Sequence, residues 1–115
     1  MPDFHRHLLP RAALLLALGF AIASASHALA APSATVRIQN FAFVPAVVTV
    51  APGTTVTWTN ADEDPHTVNA KDKSFKSAAL DTDDKYAFTF TKPGDYAYFC
   101  SLHPHMTGRI VVKAP

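Results

Sequence analysis

The chain has 115 residues, with ten basic and nine acidic side chains, six histidines, one cysteine and a 49% hydrophobic composition. That length suits one small domain. The near-balanced charge gives no reason to expect nucleic acid or an acidic membrane as a partner, and a single cysteine excludes a disulfide framework within the chain.

The first thirty residues read as a cleaved secretory signal peptide. Arg6 and Arg11 lead, Ala12 to Ala23 is an uninterrupted apolar run, and Ala28-Leu29-Ala30 is the small-x-small pattern that precedes a cut. An uncleaved anchor is the alternative, but a spanning helix needs about 20 apolar residues, and this run breaks up at Ser24, Ser26 and His27. The expected cut follows Ala30, with Ala25 as a second possible site, so the mature domain spans residues 31–115 in the periplasm. Removing Arg6, Arg11 and Asp3 leaves eight basic and eight acidic residues. The expectation is a monomer with no membrane contact after cleavage.

The mature chain then reads as short strands between turns. Thr35 to Gln39 alternates, Ala46 to Val50 is apolar and β-branched, and Pro52-Gly53 turns into Thr54 to Asn60, with Val56 and Trp58 on one face and threonines on the other. His66 to Asn69 reads as a short strand. Lys71 to Asp84 is too polar for a clear element and reads as a helical turn or a long loop. Tyr86 to Thr91 alternates again, Lys92-Pro93-Gly94-Asp95 turns the chain, Tyr96 to Cys100 forms the next strand and Arg109 to Lys113 the last. Six to eight short strands with no sustained helical period predict an all-β sandwich. Phe43, Trp58, Phe88, Phe90, Tyr96 and Phe99 read as core or near-core packing.

The chemistry concentrates in Cys100-Ser101-Leu102-His103-Pro104-His105-Met106. An unpaired cysteine in an exported protein is an intermolecular bridge, a reactive thiol, a metal ligand or an inert buried thiol. Here it ends a strand, and a tight loop brings an imidazole and a thioether to the same point. Thiolate and thioether are soft donors suited to copper, and two histidines with one cysteine in a plane plus a weak axial methionine define an electron-transfer copper site. The second imidazole is His66 or His105. His66 is preferred, since His105 lies one residue from His103, and two such neighbours cannot readily aim at one metal. His105 reads as a surface residue.

At these residues the chain resembles the cupredoxins, the small blue copper proteins. The segment from Asn40 to Asn60 is similar to the first strands of that family, in particular its amicyanin-like and plastocyanin group, Asp64-Pro65-His66-Thr67-Val68 and Tyr98 to Met106 are similar to its two ligand segments, and the short Cys-x-x-His-x-x-Met spacing is most similar to that of the amicyanin-like members, other branches usually having longer spacings. The resemblance implies a Greek-key β-sandwich and one copper ion bound by His66, Cys100, His103 and Met106. It also implies a one-electron carrier, not an enzyme, that exchanges electrons with periplasmic redox proteins through an apolar patch around His103. Two departures stand out. Thr67 replaces the asparagine that often follows the first histidine, so the hydrogen bonds between the ligand loops cannot be assumed. His105 makes the patch more polar and pH-sensitive.

The same donors would serve a copper-handling carrier or scavenger, and cysteine with histidine also suits structural zinc, though methionine argues against it. Lys71, Lys73 and Lys76, and the acidic groups Asp62-Glu63-Asp64 and Asp81-Asp83-Asp84, read as ordinary solvated surface in preference to a docking patch.

Overall fold

The computed structural model describes residues 15–22 and 30–115. The signal-peptide reading therefore falls largely outside the described residues; residues 15–22 form no strand or helix and leave Leu15, Leu16, Leu18, Phe20 and Ile22 exposed. Eight strands follow: β1 (Ser33–Gln39), β2 (Ala42–Val44), β3 (Val47–Val50), β4 (Thr54–Asn60), β5 (Asn69–Ala70), β6 (Lys85–Phe90), β7 (Gly94–Cys100) and β8 (His103–Val112). They make two four-stranded sheets, ordered β2-β1-β4-β6 and β3-β8-β7-β5. Both sheets are mixed, because β1 runs parallel to β4 and β3 parallel to β8. The expected all-β sandwich is thus formed, with eight strands.

Period-two patterning builds the core. In β4, Val56, Trp58 and Asn60 are fully buried and alternate with Thr55, Thr57 and Thr59. On its other face Thr55 stands opposite Thr89 of β6, their hydroxyls 2.8 Å apart. Val36 and Ile38 of β1 and Phe90 of β6 join Val56 and Trp58, and this layer meets Tyr98 and Cys100 of β7 with Ile110 and Val112 of β8. Of the expected aromatic core, Phe43, Trp58 and Phe90 are buried, Phe88 and Tyr96 pack at its margin, and Phe99 is half-buried.

Two local expectations change and one resolves. The strand expected at His66 to Asn69 contracts to Asn69–Ala70, and His66 forms only an isolated bridge with Leu80. Residues 71–84 take the long-loop alternative, held by bridges from His66 to Leu80 and Asn69 to Lys76. The last strand starts at His103, well before Arg109, yet its ladder with β7 jumps from Phe99–Thr107 to Cys100–His103. Pro104, His105 and Met106 therefore have no partner on β7 and form a bulge, where a proline lacking N–H costs no ladder bond.

Tyr98 sits at the centre of the sandwich, fully buried, with its ring edge-on to Trp58 at 5.5 Å. Gly108 of β8 makes room for it: a Cβ there would run into the phenol ring. Neither Tyr98 Oη nor Trp58 Nε1 has a hydrogen bond of standard geometry among the described residues. Burial pushes the Tyr98 phenol up to about 12, with the Trp58 indole opposing the shift in part.

This raised value couples the fold to alkali. The folded chain holds the proton more tightly than the unfolded one, so its contribution is complete below pH 10 and lost as pH rises toward 12. Urea unfolding across that window should show a stability decline of about 2–3 kcal/mol that Tyr98→Phe removes. Equal declines in both proteins would mean that Tyr98 does not carry the effect.

Candidate metal centre

The first half of the site hangs from Asn60, a fully buried amide at the end of β4. Its Oδ1 accepts from Asp62 N, and its Nδ2 donates to Asp64 O and to Leu80 O. All of its side-chain polar atoms are thereby engaged, and the 61–65 loop is held against the segment bearing Leu80. His66 continues this path: its N–H donates to Leu80 O, and Leu80 N–H donates to His66 O.

Asp62 then fixes the imidazole. His66 Nε2 lies 2.9 Å from Asp62 Oδ2. A carboxylate accepts, so Nε2 carries the proton and Nδ1 presents its lone pair inward. The carboxylate also accepts from Asn40 N and Phe41 N at 2.7 and 2.9 Å. Burial raises the Asp62 pKa, but the hydrogen bonds from Phe41, Asn40 and His66 outweigh it and hold the group below its ordinary value. The two backbone donors belong to the β1–β2 hairpin turn, whose central residues Asn40 and Phe41 both have positive φ, 53° and 55°. Such a turn matches the strand twist but is costly for phenylalanine. Asp62 offsets that cost and delivers the Phe41 ring edge-on to both His66 and His103, at 5.3 and 5.1 Å.

The second half comes from the β7–β8 end. Cys100 is fully buried, Ser101–Leu102 is the turn, and His103 pairs with Cys100 across it. Cys100 Sγ lies 3.8 Å from His66 Nδ1 and 3.7 Å from His103 Nδ1, and the three donor atoms all lie within 4.8 Å of one another. Two ligands held at about 2.0–2.3 Å from one ion and spread at a trigonal angle stand about 3.8 Å apart. The spacing fits a metal between them. Met106 is buried at 5% exposure on the inward face that continues through Ile110 and Val112. His103 is half-buried, while His105 is exposed and outside the converging set.

Thr67 joins the halves. Its N–H donates to Cys100 Sγ at 3.3 Å, its Oγ1 accepts from Ser101 N at 2.8 Å, and the hydroxyl donates to Asn69 Oδ1 at 2.6 Å. Ser101 Oγ is a further partner at 2.8 Å. The loop-to-loop bonds put in question by the missing asparagine are therefore made by a threonine. Asn60, Asp62, Thr67 and Phe41 act on the donors without carrying a metal-ligand signature in the sequence. An aspartate four residues before a candidate ligand histidine was the one available signal.

The Cupredoxin-like domain family matches residues 12–112 of the chain. Amicyanin-alpha of Methylorubrum extorquens is 34% identical over 117 residues, which cover 88% of this chain and 98% of that protein. Among solved structures, the Cu(I) form of an amicyanin variant superposes with a TM-score of 0.68 at 32% identity, covering 74% of this chain and 86% of its own. A purple cupredoxin from Nitrosopumilus maritimus gives 0.66 at 32%, covering 70% and 99%.

The Thr67 clamp is open to test in the metal-free chain. Thr67→Val leaves Ser101 N and Asn69 Oδ1 without their partner and should cost about 1–3 kcal/mol in urea unfolding, with Thr67→Ser recovering most of the loss. An unchanged midpoint for Thr67→Val would show that the hydroxyl does not hold the two segments together.

Proposed function

This chain belongs to the cupredoxin-like family, and from that premise we propose that it is an exported carrier of single electrons between redox proteins of the periplasm. The observation that carries the reading is the convergence of His66 Nδ1 and His103 Nδ1 on the buried sulfur of Cys100. The cofactor is one type 1 copper ion, which when bound supplies the Cu(II)/Cu(I) couple.

His66, Cys100, His103 and Met106 are the proposed ligands. In this reading the Cys100 thiolate would supply the strongest bond and the main electronic coupling, the His66 and His103 imidazoles the other strong donors, and the Met106 thioether a weak donor that tunes the potential. Asp62 keeps His66 in the tautomer with Nδ1 free, and Thr67 N–H donates to the sulfur, withdrawing charge from it. With all four positions taken by protein, no place is left for a substrate, which favours a carrier over an enzyme. The buried donors keep water away and hold their spacing, so little need move when the charge changes. Only His103 among the four is half-exposed, and Phe41 and Leu102, each about half exposed, give its edge an apolar margin suited to brief contact with a partner. Export removes residues 1–30 in this reading, and residues 31–115 act as a monomer.

A titration of residues 31–115 with Cu(II), followed by visible absorption and electron paramagnetic resonance, tests the site. One equivalent should give an intense blue, reversibly reducible centre that Cys100→Ala abolishes. A colourless complex, or rapid thiol oxidation with loss of copper, would defeat the shuttle and favour copper handling or zinc; a blue band surviving in Cys100→Ala would remove that residue from the site. Met106→Leu should keep the colour and move the reduction potential upward, because Cu(II) loses a donor. An unchanged potential and spectrum would show that Met106 is not a ligand.

A further inference from the structure

Five side chains of residues 31–115 carry an imidazole or a sulfur: His66, Cys100, His103, His105 and Met106. Four form the proposed copper site, and the fifth, His105, sits in the chain between two of them. Nothing in the fold uses its ring. His105 is exposed, and the histidine side-chain hydrogen bonds among the described residues belong to His66 and His103.

The four ligands pose a problem of access. His66 and Cys100 are fully buried and Met106 is 5% exposed, so an ion arriving from water cannot meet them first. His103 alone is half-buried, with Nδ1 facing the Cys100 sulfur at 3.7 Å. Copper therefore enters past His103, and a single imidazole is a weak hold on an ion that must shed its water.

The chain offers a second imidazole at that point. Residues 103–112 are strand, not a tight loop, and alternate residues of an extended chain stand about 6–7 Å apart. Two imidazoles span that separation to grip one ion outside the buried site, although within it they do not converge. The Pro104–Met106 bulge has no partner on β7, so His105 can swing toward His103 without breaking a ladder bond.

We propose that His105 is the loading residue of the copper site: with His103 it captures Cu(II) at the mouth and hands it inward to Cys100. The proposal rests on the four-ligand copper reading. Placing two imidazoles on neighbouring stretches of one strand makes the second bond intramolecular, which lengthens the stay of the ion at the mouth. Ligand exchange follows: the bond to His105 breaks, the bond to the Cys100 sulfur forms, and the thiol proton leaves for solvent. Copper remains Cu(II), and no electron moves. Because His105 is released at the end, it speeds the entry and the exit of copper alike and leaves the affinity of the filled site unaltered.

The test mixes the metal-free protein with Cu(II) sulfate in stopped flow and follows the rise of the blue band. His105→Gln should slow that rise about tenfold, and should slow the loss of copper to excess ethylenediaminetetraacetate by the same factor. Its dissociation constant, blue band and potential should match those of the unsubstituted protein. Cys100→Ala halts the ion at the mouth, so this variant should bind Cu(II) without colour, and adding His105→Gln to it should weaken that binding about tenfold. An unchanged rate of uptake in His105→Gln, or equal binding by the single and double variants, would overturn the loading role. A dissociation constant that rises as the uptake rate falls would make His105 a resident ligand and would overturn it as well. If the unsubstituted protein gives no blue centre, the four-ligand reading itself fails, and the loading role with it.

Discussion

The centre depends on one seam, the contact between Thr67 and the Cys100–Ser101 end of β7. Two segments separated by more than thirty residues meet there, one bearing His66 and the other bearing Cys100 and His103. Sheet pairing brings them part of the way, since β5 pairs Asn69 with Phe99 while His66 lies outside the strands and bridges only to Leu80. The Thr67 hydroxyl closes the remaining gap by accepting from Ser101, and its own proton, donated to Asn69 two residues on, fixes its orientation. The backbone N–H of the same residue is directed at the sulfur. Organisation of the scaffold and electronic influence on the thiol therefore come from adjacent atoms of one residue.

A similar economy governs the other end of the site. Asp62 accepts from a ligand histidine and from the two strained residues of the β1–β2 turn. Conformational strain in the turn, placement of the Phe41 ring and the tautomer of His66 are thereby joined through one carboxylate. The cost of holding phenylalanine at positive φ is met at the place where its ring is useful.

The sequence made some of this visible and not the rest, for physical reasons. Alternation in Thr54 to Asn60 and in Tyr86 to Thr91 marked strands because each buries one face. The sandwich followed from that. Cys100, His103 and Met106 stood out because soft donors at short spacing have few other uses, and His66 stood out because a planar site needed a second imidazole. Strand β2 escaped because three residues carry too little periodicity, and its turn has phenylalanine where glycine would signal it. The bulge at Pro104 to Met106 hid the early start of β8, although Pro104 was its trace. Asn60, Asp62 and Thr67 are common loop residues whose roles exist only in tertiary hydrogen bonds. Tyr98 was passed over beside its aromatic neighbours, although it occupies the middle of the core.

The complete enclosure of Cys100 has a consequence for how the thiol would fare under oxidising conditions. Disulfide exchange requires an attacking thiolate to collide with a sulfur along an open approach, and a thiol walled in by Thr67, His66 and the strands offers none. Two folded copies therefore cannot crosslink through their only cysteine, whatever their concentration. The packing that gathers donors around the sulfur also keeps the free thiol single.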